Sequence, residues 1–204
     1  MAFLHGLGFG LLMMFFIGPV FFYLLQTSLQ FGTKSGIIAA LGIVFSDFCA
    51  VFLCYFWASK LFEGESTQNE FWLALIGGFI ILFFGIGYIF KPKFPINKPI
   101  EVKKADYVTF FTKAFLINFV NPFVFLVWIS MIGVARNTYG KTELVMAFLA
   151  AALLGIVSTD ILKVVGAKYL KRIIEPHVLI KVYKIIGIIL ILFSTRLFYH
   201  AASL

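Results

Sequence analysis

Polar residues interrupt the chain at five places, and between them run six apolar stretches. These extend roughly from Phe3 to Gln30, Ser35 to Leu61, Phe71 to Phe90, Tyr107 to Ala135, Leu144 to Ala167, and Leu179 to Tyr199. The interruptions read FGTK, KLFEGESTQNE, KPKFPINKPIEVKKAD, RNTYGKTE and KYLKRIIEPH. A helix needs about 20 apolar residues to cross a bilayer, so each stretch predicts one crossing. The expected fold is therefore an all-α integral membrane protein, a single transmembrane domain over 1–204 with six transmembrane helices. Residues 91–106 form the one substantial linker, which Pro92, Pro95 and Pro99 keep extended.

One short pattern occurs twice. LGIVFSD, Leu41 to Asp47, returns as LGIVSTD, Leu154 to Asp160, 113 residues later, in the second and fifth stretches. The linker divides the chain into repeat one, 1–90, and repeat two, 107–204. An odd number of crossings per repeat makes the second copy enter the membrane from the opposite face. The expectation is two inverted three-helix repeats, an arrangement that places solute and coupling-ion sites near the bilayer midplane.

Composition strengthens this reading. The chain is 62% hydrophobic and 13% charged, with 27 Phe, whereas a soluble domain is about 25% charged. The net charge of +8 is spread among short loops and carries no nucleic-acid motif. Membrane orientation accounts for it better. Twelve Lys or Arg fall in or beside loops one, three and five, and four (Lys60, Arg136, Lys141 and Arg196) on the other side. By the positive-inside rule both termini then lie on the non-cytoplasmic side. The apolar start lacks the basic n-region and A-x-A site of a signal peptide, so it is read as part of the mature protein.

Few residues invite chemistry. Cys49 and Cys54, five apart on different sides of one helix, read as packing residues. His5, His177 and His200 have no ligand spacing, and no hydrolase, zinc-protease, P-loop or dinucleotide fingerprint occurs. No enzyme, cofactor or metal site is expected.

The informative positions lie inside the crossings. Gly18 and Pro19 interrupt the first and Asn121 and Pro122 the fourth, each proline freeing the carbonyl four residues earlier, at Phe15 and Asn118. Proline suits a first helical turn, so a break would aim the positive end of a half-helix into the protein, where it can hold a carboxylate. A single proline reads first as a simple kink. Two in corresponding crossings are the sequence pointer to a transport site. Asn118 and Asn121, three apart, are expected on one helix face, as substrate contacts or as glue between helices. Gln26, Thr27 and Ser28 read as the wet end of the first crossing, and the aromatics as mostly lipid-facing.

The two acids differ. Asp160 has Lys163 one turn away and reads as a structural pair, whereas Asp47 has only apolar neighbours at helical offsets. Acids at membrane depth usually serve a pathway. Asp47, without a local cation, is the candidate to gain and lose the coupling proton.

Two blocks resemble the LysE family of amino-acid exporters. IGPVFFYLLQTSLQFGTKSGIIAALGIVFSD is similar to that family's first-to-second-span signature, at Gly18, Pro19, Gly32, Gly36, Gly42 and Asp47. FLINFVNPFVFLVWI resembles its Asn-Pro segment, at Asn121 and Pro122. The chain departs from the family in having Phe16-Ile17 before Gly18-Pro19, where a doubled Gly-Pro is common, and Phe123 where a basic residue often follows Asn-Pro. The resemblance implies proton-driven export of amino acids or related small metabolites across a bacterial inner membrane. Two other readings use the same residues: an exporter of metal or inorganic cations, since acids and open carbonyls bind hard cations, and a membrane scaffold that moves no solute.

Overall fold

The computed structural model describes residues 1–63, 67–90, 106–170 and 176–203. The expected linker lies outside these residues except for Asp106, as do Lys171 and Arg172 of the fifth loop. Regular structure among the described residues is all helical: α1 Ala2–Leu12, α2 Pro19–Phe31, α3 Thr33–Glu63, α4 Thr67–Phe90, α5 Tyr107–Phe119, α6 Pro122–Tyr139, α7 Thr142–Val165, α8 Ala167–Leu170 and α9 Pro176–Ala202, with a 3-10 turn at Met13–Phe15. Three segments, Thr33–Phe56, Thr142–Val165 and Ile180–Ala202, are each long and apolar enough to cross a membrane unbroken. Counting each bent pair as one crossing brings the number to five, and α4 contributes the shorter apolar helix Ala74–Phe90.

The bends fall at the two prolines. The first stretch turns by 71° between the 3-10 turn and α2, and the fourth by 65° between α5 and α6. At the first break Phe16 and Gly18 are extended and Pro19 opens α2, where its missing N–H costs nothing. At the second, Asn121 is extended, Pro122 opens α6, and the Asn121 side chain accepts a 3.1 Å hydrogen bond from the Phe123 N–H. Asn121 is thus the N-cap of α6. Only Gly32, at φ 89, separates α2 from α3. That backbone conformation strains any residue with a Cβ, so glycine permits the two helices to join with no loop.

The chain divides into two compact units: Met1–Tyr55 with Ile100–Glu175, and Phe56–Pro99 with Pro176–Leu204. In the first, α1 lies directly on α7. A Cβ on Gly6 would be driven into the Phe148 carbonyl and one on Gly10 into the Ala152 carbonyl, while one on Gly155 would sit 2.8 Å from the Gly10 Cα. Small residues that let backbones touch are how membrane helices associate where no hydrophobic drive is available. The matching glycine of the other motif copy, Gly42 on α3, meets the Phe111 carbonyl of α5 in the same way. Each copy therefore presses its glycine against the first half of a broken stretch from the other half of the chain.

Two apolar clusters fill this unit. One gathers Ala50, Cys54, Trp128, Ile132, Phe148 and Ile156, and the other Tyr23, Leu24, Ile43, Phe110, Ala114 and Val164. In the second unit α4 packs on α9. A Cβ on Gly187 would stand 2.7 Å from the Gly85 carbonyl, and Tyr88 meets Tyr183 edge-on with ring centroids 5.1 Å apart.

Candidate functional site

The polar groups of the first unit concentrate where its two apolar clusters adjoin. On α3, Asp47 comes between Ile43 of one cluster and Ala50 of the other; on α7, Asp160 and Lys163 come between Ile156 and Val164. All three polar side chains are buried, as are Ser46, Asn118 and Asn121. Leaving such groups unpaired in an apolar surrounding costs several kcal/mol, so their partners define the site.

Asp47 is held by two neutral donors. Its Oδ1 accepts from Asn118 Nδ2 at 2.9 Å and from Trp128 Nε1 at 3.2 Å. Asn118 lies in the last turn of α5 and Trp128 in the middle of α6, so a single carboxylate oxygen ties together the two sides of the bend. The Asn118 amide also reaches Ser46 Oγ at 3.2 Å and the Ile43 carbonyl at 3.4 Å. It thereby fastens the end of α5 along one turn of α3.

Asp160 has a cation instead. Lys163 Nζ lies 3.0 Å from Asp160 Oδ1 and donates to the Met13 carbonyl at 3.3 Å. Met13 is in the 3-10 turn before the first break, so this acid too is tied to a broken stretch of the opposite half. The other oxygen, Asp160 Oδ2, is buried without a hydrogen-bond partner. Both Asp160 and Lys163 are within electrostatic reach of Asp47. The site thus contains two carboxylates and one ammonium group.

Several expected residues take other positions. Asn118 and Asn121 do not share a helix face, because α5 ends at Phe119 and Asn121 belongs to the start of α6. The Asn118 carbonyl is not left open, since the Asn121 N–H donates to it at 3.2 Å. At the first break it is the Met13 carbonyl, rather than that of Phe15, that the buried lysine takes. Gly18 and Pro19 shape the start of α2, whose first N–H groups receive no side-chain cap, unlike those of α6. Thr27 and Ser28 are buried rather than wet, with Ser28 Oγ donating to the Val164 carbonyl at 2.9 Å. Trp128 and Ser46 went unnamed in the sequence reading. One aromatic among many in apolar sequence carries no mark of its hydrogen bond.

Apolar helices of membrane length, two of the crossings broken at proline and a charged cluster buried beside the breaks are the features of a multi-pass membrane protein. The chain belongs to the LysE type translocator family, whose family model matches residues 11–201, nearly its full length. Membership places it among exporters of amino acids and similar small molecules. No solved structure matches it.

Proposed function

We propose that this protein is a proton-coupled antiporter that exports an amino acid or a closely related zwitterion across a bacterial inner membrane. It crosses six times as two inverted three-helix repeats, with both termini on the non-cytoplasmic side. The observation that carries this reading is the crossed pairing of acids and breaks: Asp47 of the first half is bonded to Asn118 beside the second break, and Lys163, paired with Asp160 of the second half, to Met13 beside the first. Two halves that must each grip the other's broken helix suit a site that opens to either face in turn.

The ends of the first unit fit the proposed alternation of crossings. Lys34, at the start of α3, lies over the Tyr107 ring at the start of α5, so loop one and the end of the linker share a face. His5 Nδ1 lies 2.5 Å from Tyr139 Oη, and Arg136 stacks on Tyr55, which brings the start of α1, the end of α6 and the Tyr55 turn of α3 to one end of the unit.

A zwitterion fits the available partners. Its ammonium group is offered Asp160 Oδ2, the carboxylate oxygen that nothing else occupies. Its carboxylate is offered the uncapped start of α2 beyond Gly18, where the N–H groups that follow Pro19 and the helix dipole favour an anion. Asp47, whose partners are neutral, is left to carry the proton.

Efflux of labelled amino acids from proteoliposomes under an imposed pH gradient tests the assignment. Asp47→Asn is expected to abolish gradient-driven efflux while leaving some exchange of substrate for substrate. Full proton-driven export by that variant would overturn the role given to Asp47.

A further inference from the structure

We infer that Trp128 is a positioning residue which makes Asp47 a proton-operated clamp across the break in the fourth crossing. The inference rests on the exporter reading above and adds the element that the proton moves. Asp47 Oδ1 is the shared acceptor of Asn118 Nδ2, on one side of the 65° bend, and Trp128 Nε1, on the other. Asn118 keeps further bonds to Ser46 and the Ile43 carbonyl of α3, and Arg136 reaches the Tyr55 carbonyl at the far end of α6, so beside the break the arm that rests on Asp47 alone is the Trp128 one.

The chemistry of the donors decides the direction. An amide N–H and an indole N–H can only donate, and a hydrogen bond to a charged acceptor is roughly twice as strong as one between neutral groups. With Asp47 ionised, both half-helices are therefore held to α3. When it takes a proton, Oδ1 still accepts but both bonds weaken together, and α6 is released relative to α5. The other ionisable groups within reach are Asp160 and Lys163 on α7, and these already form an ion pair with each other. The switch thus turns on one carboxylate.

Burial makes Trp128 suited to this task. The ring is 1% exposed, packed with Ile132, Phe148 and Ile156, so the indole moves only when α6 and its surroundings move. A phenylalanine there keeps most of the packing and loses only the donor.

Hydrogen exchange at the break tests this without any substrate. At one pH where the native carboxylate is charged, peptides covering residues 116–128 are compared between the native protein, Asp47→Asn, Trp128→Phe and the double variant, all in lipid. Each single variant is expected to speed exchange about tenfold, the factor matching one lost charge-assisted bond. The double variant is expected to add little, since both changes open one clamp. A second measurement uses fluorescence. With Trp57 and Trp72 replaced by Phe, Trp128 emission should change with pH in a single step that Asp47→Asn removes. Trp128→Phe should also move the pH of half-maximal efflux upward, because the carboxylate loses a donor that favours its charged form, while a packing defect alone would lower flux at every pH.

Unchanged exchange in Trp128→Phe, or an emission step that survives Asp47→Asn, would overturn the clamp. Efflux that is normal despite either result leaves the exporter reading standing, whereas an intact clamp with no efflux of any amino acid sinks the exporter reading alone.

Discussion

Lys163→Met is the perturbation whose consequence the structure fixes most closely. Methionine preserves the length and apolar character of the stem but removes the ammonium group. The Met13 carbonyl is not orphaned by this, because it also accepts from the Phe16 N–H at 3.2 Å. The damage falls on Asp160, which is 3% exposed and whose Oδ2 already lacks a partner. Stranding a charge in this way costs about 3–5 kcal/mol. Against a total stability of about 5–15 kcal/mol, that is a large fraction. Replacing both members, Asp160→Leu with Lys163→Met, removes the charge along with its partner and should return stability to within about 1 kcal/mol of the native protein or above it. Reversible unfolding in mixed micelles with increasing dodecyl sulfate measures both variants against the native protein, and both double substitution and acidification, which lets the stranded carboxylate take up a proton, should recover what Lys163→Met loses. A single variant within about 0.5 kcal/mol of native, well below the expected 3–5, would show that the pair is not sealed from water.

Two further outcomes follow from local geometry. Gly155→Leu would force α1 and α7 apart, because even a Cβ at that position stands 2.8 Å from the Gly10 Cα; a loss of at least about 1–3 kcal/mol is expected by the same unfolding assay. Asp106 caps α5 by accepting from the Thr109 hydroxyl and the Thr109 N–H, and these bonds hold its carboxyl below the usual carboxylate range. Because its value is lower folded than unfolded, the cap is fully in place at neutral pH and is lost as pH falls through that lowered value. Exchange of the first α5 amides, corrected for intrinsic rate, should stay level down to about pH 4 and rise only below it, and Asp106→Ala should show the raised rate throughout.

What could be read in the sequence was carried by residue types with few alternatives. Proline must open a helix or break one, so Pro19 and Pro122 marked both bends, and an acid inside an apolar run demands a partner, so Asp47 and Asp160 marked the buried polar cluster. The Asp160 to Lys163 pair was visible because both lie on one helix at fixed spacing. The rest depended on contacts between distant elements. Trp128 Nε1 meets Asp47 across 81 positions and Lys163 meets Met13 across 150, and the Met13 acceptor is a backbone carbonyl, which every residue possesses. Thr27 and Ser28 were misread for a related reason. They stand just before the polar FGTK turn, but α2 packs against α5 and α7, so Ser28 reaches the Val164 carbonyl instead of water. The pairing of α4 with α9 likewise rests on Gly85 and Gly187, two glycines among 17 with no local sign of their role.

The bare glycine seam between α1 and α7 has a consequence for how the protein is made. α1 finds its matching surface only on a segment synthesised some 140 residues afterwards, an interval of roughly 7 to 30 s at ~5–20 residues per second. Until then Gly6 and Gly10 lack the carbonyls they pack against, so a nascent chain that stalls before Val145 leaves the bare face of α1 unmatched.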